Sequence, residues 1–154
     1  MARKTKILLV EDDEILSKVI YEELEDSGFE VLPAYDGEQG LKSAQQFRPD
    51  LILLDIMLPK KLGLDVLKDL KASPATSGIP VIILTMLGKD ADIKRGLQMG
   101  ANDYIVKSQH AVGEIVDMVK DFFSKEQHPE GKHPHGKFFE AEDSASASDS
   151  GMMG

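Results

Sequence analysis

The chain has 154 residues, enough for one domain with a short remainder, and its 42% hydrophobic and 29% charged content is ordinary for a globular protein. There is no cysteine, which excludes disulfides, thiolate metal sites and a catalytic thiol. The net charge is −9, with 16 basic against 21 acidic residues up to Lys125 and 2 against 6 beyond it, so neither part has the basic footprint of a nucleic-acid binder and direct DNA binding is not expected.

The basic opening MARKTK leads into KILLV (6–10), whose apolar core is too short for a signal peptide. No later run approaches the roughly 20 apolar residues of a membrane span, so a cytoplasmic protein without membrane insertion is expected. KILLV reads as a first strand. Ile15, Leu16, Val19, Ile20 and Leu24 then fall on one helical face, and Gly28 stands where that helix would stop. A second strand, FEVLPA (29–34), precedes a helix marked by Leu41, Ala44 and Phe47 and ended before Pro49. LILLD (51–55) is the third strand, and Leu64, Leu67 and Leu70 mark the next helix, before Pro74. IPVIILT (79–85) is the fourth, followed by a helix with Ile93 and Leu97 that closes at Gly100. DYIVK (103–107) is the fifth, and Val112, Ile115, Val116, Val119 and Phe122 form the last helical stripe.

Five strand–helix alternations imply an α/β fold with a parallel sheet, helices on both faces and right-handed crossovers. Three of the strands are nearly continuous in Ile, Leu and Val, as strands covered on both faces are. In such sheets ligands gather outside the carboxyl ends of the strands, where the strand order reverses. Residues 126–154 differ in character: they are rich in His, Gly, Ser and Ala, lack apolar periodicity and read as a disordered acidic tail. His128, His133 and His135 there read as part of a solvated linker, while Phe138 and Phe139 are unusual in so polar a setting and could form a short docking motif.

Chemistry is predicted at the strand ends. Glu11, Asp12 and Asp13 follow the first strand, Asp55 ends the third, Thr85 the fourth and Lys107 the fifth. Two carboxylates about 4 Å apart near a surface repel by roughly 4 kcal/mol, so clustering them calls for compensation. A hard oxygen site of this kind suits Mg²⁺, which takes one or two carboxylates, several waters and a phosphate. A lysine and a hydroxyl beside the ion suit phosphoryl transfer, and a carboxylate held there can be the nucleophile, forming an acyl phosphate. Asp55, at the end of the central strand, is the candidate. Each residue also has a plainer reading: Asp12 or Asp13 can cap the first helix, Thr85 can be a strand former and Lys107 a solvated charge.

The segments "ILLVEDDE", "PDLILLDIMLP" with Gly63 following, "PVIILT" and "GANDYIVK" resemble the receiver domain of two-component response regulators, over roughly residues 4–125. The resemblance implies a flavodoxin-like (βα)5 fold with strand order 2-1-3-4-5. It implies Mg²⁺ held by Glu11, Asp12, Asp55 and the backbone carbonyl of Met57, with Asp55 as phosphoacceptor, Thr85 and Lys107 contacting the phosphoryl oxygens, and Thr85 with Tyr104 as the switch. The implied phosphodonor is a sensor histidine kinase or histidine phosphotransfer protein. The implied output is a protein target on the face of the fourth helix, fifth strand and fifth helix, or a phosphorylation-dependent homodimer. A single-domain regulator is expected, since the tail has no second core, and not an enzyme turning over a separate substrate. The alternative is a degenerate receiver acting as a phosphorylation-independent adaptor.

Three positions depart from the family pattern. Lys107 is followed by Ser108 in place of the usual proline; a non-proline cis bond costs roughly 2.5–4 kcal/mol, so a trans bond is expected. Met86 replaces a small residue and is expected to narrow donor access, and Leu62 replaces an acid, with Lys60 and Lys61 adding positive charge near the site. Met57 and Leu87 offer no hydrogen bond to a hydrolytic water, which predicts a long-lived phospho-Asp55. A haloacid-dehalogenase-like phosphatase is disfavoured because Met57 stands where that class places its acid. A nucleotide-binding protein is disfavoured because no Gly-rich phosphate loop follows the first strand.

Overall fold

A computed structural model describes residues 3–86 and 90–127. The tail from residue 128 onward, with its histidines and Phe138 and Phe139, lies outside them, as does Leu87. In chain order the elements are β1 (Lys6–Val10), α1 (Glu14–Asp26), β2 (Glu30–Ala34), α2 (Gly37–Phe47), β3 (Leu51–Asp55), α3 (Gly63–Ala72), β4 (Val81–Thr85), α4 (Asp90–Gln98), β5 (Asp103–Val106), a 3₁₀ turn (Lys107–Gln109) and α5 (Val112–Gln127). None of the helices described is long and apolar enough to cross a membrane.

The five strands form one parallel sheet in the order β2-β1-β3-β4-β5, as expected. Every residue of β3, β4 and β5 is buried, so both faces of these strands are covered, which explains their unbroken apolar sequences. Pro33 sits in β2, at the sheet edge, the position where a strand tolerates a residue with no N–H to donate.

The chain divides into two units, Met1–Gly113 and Glu114–Gly154. The second contains most of α5, on which Ile115, Val116, Val119 and Phe122 are buried as the helical stripe predicts, joined by Met118. In the first, the helix ends follow local chemistry. The Asp13 side chain accepts from the N–H groups of Ile15 and Leu16, each at 3.1 Å, and caps α1. The Asp36 side chain caps α2 by accepting from the Gln39 N–H at 2.7 Å. Gly28, with φ of 99°, follows the end of α1 in the left-handed region that a side chain disfavours.

The strand register positions the site. Val10 lies opposite Leu54, so Glu11 emerges level with Asp55. Asp55 lies opposite Leu84, and Thr85 opposite Val106, so Thr85 and Lys107 leave the same edge one step further on. At the opposite end of β3, Asp50 accepts from the Lys6 N–H at 2.8 Å and from both terminal nitrogens of Arg3, at 2.9 and 2.7 Å. The Arg3 hydrogen bond holds the Asp50 carboxyl below its ordinary value, against the opposing effect of burial.

Because its folded-state pKa is depressed, Asp50 stabilises the fold fully above the ordinary aspartate pKa, and that contribution is lost as pH falls through the lower folded value. Thermal unfolding followed from neutral pH into acid is expected to show a shallower loss of stability for Asp50→Asn than for the parent, the two curves converging at the lowest pH.

Candidate functional site

Glu11, Asp12, Asp13, Asp55, Ile56, Met57, Thr85, Met86, Asp92 and Lys107 line one cleft of about 440 Å³ at the carboxyl edge of the sheet. Each of Glu11, Asp12 and Asp55 offers a carboxylate oxygen, and these atoms lie within 4.8 Å of one another. Glu11 and Asp55 are buried and Asp12 is exposed. All the strand-end residues expected to converge do so, and Asp13, whose side chain caps α1, leaves Asp12 free of that task.

Lys107 binds the two buried acids together. Its Nζ donates to Glu11 Oε1 at 2.5 Å and to Asp55 Oδ2 at 3.1 Å, with only 6% of its side chain exposed. The other oxygens are also held: the Asp13 N–H donates to Glu11 Oε2 at 3.0 Å and the Met57 N–H to Asp55 Oδ1 at 3.1 Å. Gly63 closes the back of the site. A Cβ there would collide with the Asp55 carbonyl, so the α3 N-terminus comes this near to Asp55 only because residue 63 has no side chain.

Burial raises the Glu11 carboxyl above its ordinary value, more than the bonds from Lys107 and the Asp13 N–H lower it. For Lys107 burial acts to lower the pKa, but the bond to Glu11 and the charges of Asp55 and Glu11 outweigh it and the ammonium is held above its ordinary value. The charges do not balance: among the described residues lining the cleft, the one ammonium of Lys107 faces the carboxylates of Glu11, Asp12, Asp13, Asp55 and Asp92, leaving an excess of negative charge. The all-oxygen donor set and this excess of negative charge fit a divalent cation such as Mg²⁺.

Other residues fall differently from expectation. Lys60 and Lys61 do not line this cleft: Lys60 lies 3.6 Å from Asp36, Lys61 pairs with Asp69, and both line a separate hollow together with Leu62. Tyr104 is buried in β5 and is not among the residues lining the cleft. The Lys107–Ser108 bond is trans, as expected, since no peptide bond among the described residues is cis. Met86 lines the cleft and is 52% exposed. Asp92, on α4, was not foreseen. An acid on a polar helix surface carries no strand-end signal, and only the placement of α4 brings it to the cleft.

Residues 7–120 match the response regulator receiver domain family. The chain belongs to this family. Over 102 residues it is 48% identical to the transcriptional regulatory protein CpxR of Escherichia coli (strain K12), covering 66% of this chain and 42% of CpxR. A response regulator receiver domain protein (CheY-like) from Methanospirillum hungatei has the same fold, with 27% identity and a TM-score of 0.75 over 84% of this chain and 100% of that one. The receiver domain of the sensor histidine kinase PA1611 from Pseudomonas aeruginosa is 32% identical with a TM-score of 0.69, over 77% of this chain and 96% of that one, and its structure holds a magnesium ion in the active site cleft. The chain spans less than half the length of CpxR and other curated relatives. Their names are those of transcriptional or DNA-binding regulators, so they lend no support to the expectation that DNA binding is absent.

Removing one partner from a buried ion pair leaves an uncompensated charge, a loss of about 3–5 kcal/mol. Lys107→Met, unfolded in urea without divalent ions, is expected to lose stability on that scale, and adding Glu11→Gln to recover part of it. A single variant as stable as the parent would mean that Lys107 does not hold the acids together.

Proposed function

We propose that this receiver is a phosphorylation-controlled switch in a two-component relay, with Asp55 as the phosphoacceptor. The observation that carries this reading is the convergence of Glu11, Asp12 and Asp55 at the carboxyl edge of the sheet, with Lys107 bonded to Glu11 and Asp55. A carboxylate oxygen of Asp55 attacks the phosphorus of a phosphohistidine on a sensor kinase or histidine phosphotransfer protein. The P–O bond forms as the P–N bond breaks, and the imidazole leaves with the electron pair. Glu11, Asp12, Asp55 and the Met57 carbonyl would hold Mg²⁺, which would supply positive charge for the phosphoryl oxygens. Lys107 adds a second cation, and the Thr85 hydroxyl donates a hydrogen bond to a phosphoryl oxygen.

Asp55 is thus both ligand and nucleophile, and the chain is a phosphoacceptor with no turnover of a separate substrate. The movement of Thr85 toward the phosphoryl group is coupled to Tyr104, and the surface of α4 and β5 carries the signal to a protein target or a second copy of the chain. The cytoplasm, where a chain without cysteine meets such kinases, is the proposed setting. Met57 lines the cleft without offering a hydrogen bond to water, which favours slow hydrolysis of the acyl phosphate.

Incubation with acetyl phosphate and Mg²⁺ is expected to add one phosphoryl group, read by intact mass. Omitting Mg²⁺ or substituting Asp55→Ala abolishes the adduct, and Met57→Asn shortens its lifetime. No adduct on the parent chain under any condition contradicts the proposal and favours a phosphorylation-independent adaptor.

A further inference from the structure

Thr85 and Val106 are register partners on β4 and β5, so the chain leaves the two strands side by side, as Met86 on one and Lys107 on the other. At Lys107 the trans backbone enters the 3₁₀ turn Lys107–Gln109. In that turn the Ser108 hydroxyl donates to the Met86 carbonyl at 2.8 Å. The bond joins the residue following the lysine of the site to the residue following its threonine. Neither alanine nor proline at position 108 has a hydroxyl with which to make it.

We propose that Ser108 is a clasp on the switch: its bond to the Met86 carbonyl holds the exit of β4 in the resting position and so sets how readily the site accepts a phosphoryl group. This rests on the reading of Asp55 as phosphoacceptor and of Thr85 as its hydroxyl donor. For Thr85 to meet a phosphoryl oxygen in the cleft, the chain leaving β4 shifts toward Asp55, and Met86 is the first residue of that exit. A bond made in the resting arrangement and given up in the other biases the equilibrium toward rest by its own net strength. An ordinary hydrogen bond has a net strength that corresponds to roughly two- to tenfold in an equilibrium constant. Ser108 touches neither metal ligand nor phosphoryl group on this account. It is a positioning residue acting through the backbone of Met86.

The test compares the parent chain with Ser108→Ala and Ser108→Thr, using beryllium fluoride in excess Mg²⁺ as a phosphoryl mimic and calorimetry to measure affinity, with Mg²⁺ affinity measured separately. The expected result is binding of the mimic about two- to tenfold tighter in Ser108→Ala. Ser108→Thr, which keeps a hydroxyl, returns to the parent value, and the Mg²⁺ affinity is the same in all three. Equal or weaker binding by Ser108→Ala overturns the clasp, as does failure of Ser108→Thr to restore the parent value or a parallel change in Mg²⁺ affinity. A parent chain that binds Mg²⁺ but not the mimic overturns the phosphoacceptor reading itself, and the clasp with it.

Discussion

The structure is organised around an electrostatic conflict. Glu11, Asp12 and Asp55 bring three carboxylates within 4.8 Å at the edge of an otherwise apolar sheet. Like charges so placed in a partly buried cleft oppose folding, by roughly 4 kcal/mol per pair at about 4 Å. Lys107 neutralises part of that charge, and backbone N–H groups of Asp13 and Met57 hold two further oxygens. The all-oxygen set fits a divalent cation for the rest of the compensation. A site that is incomplete by itself is suited to respond to what enters it, so the conflict and the proposed function have one physical origin.

The sheet makes this arrangement rigid. Side chains alternate between the two faces of a strand, so slipping any strand by one residue would exchange its faces and separate the acids from the lysine. The strand order then decides which ends are neighbours. With β1 beside β3, and β4 and β5 following, residues 11, 55, 85 and 107 stand along one edge although as many as 96 positions separate them in sequence. The apolar core thus supplies the placement and the polar edge the chemistry. The Ser108 hydroxyl adds a link between two strand exits that the sheet ladder does not connect.

Much of this was legible in the sequence because strong local signals agreed. Continuous Ile/Leu/Val runs fixed the type of β3 and β4, and an acid, a hydroxyl or a lysine at each carboxyl end pointed to one edge. Boundaries were less legible: DYIVK reads as strand through Lys107, yet that residue turns into a 3₁₀ segment, because the pattern of apolar residues does not register the change in backbone direction. Residue type alone leaves Asp12 and Asp13 both able to cap a helix, and only the family resemblance sets Asp12 apart; the geometry assigns the cap to Asp13. The partners of Lys60 and Lys61 were not legible, because sequence proximity to Asp55 does not reveal that Asp36 and Asp69 lie beside them. Asp92 and the Ser108–Met86 bond depend on tertiary placement alone, and nothing local announces them.

The central claim is that the acid cluster is strained by its own charge and relieved by a divalent cation. Thermal unfolding of the parent chain and of Asp12→Asn, each with and without Mg²⁺, tests it most directly. Without Mg²⁺, Asp12→Asn is predicted to be the more stable of the two, because one repelling charge is gone. Saturating Mg²⁺ is predicted to raise the parent chain more than the variant, since a ligand that binds only the folded state adds about 2.7 kcal/mol at 100 times its Kd and the variant binds it less well. If the parent chain is the more stable without the cation, or does not respond to it, the acids are not in conflict and the account fails at its base.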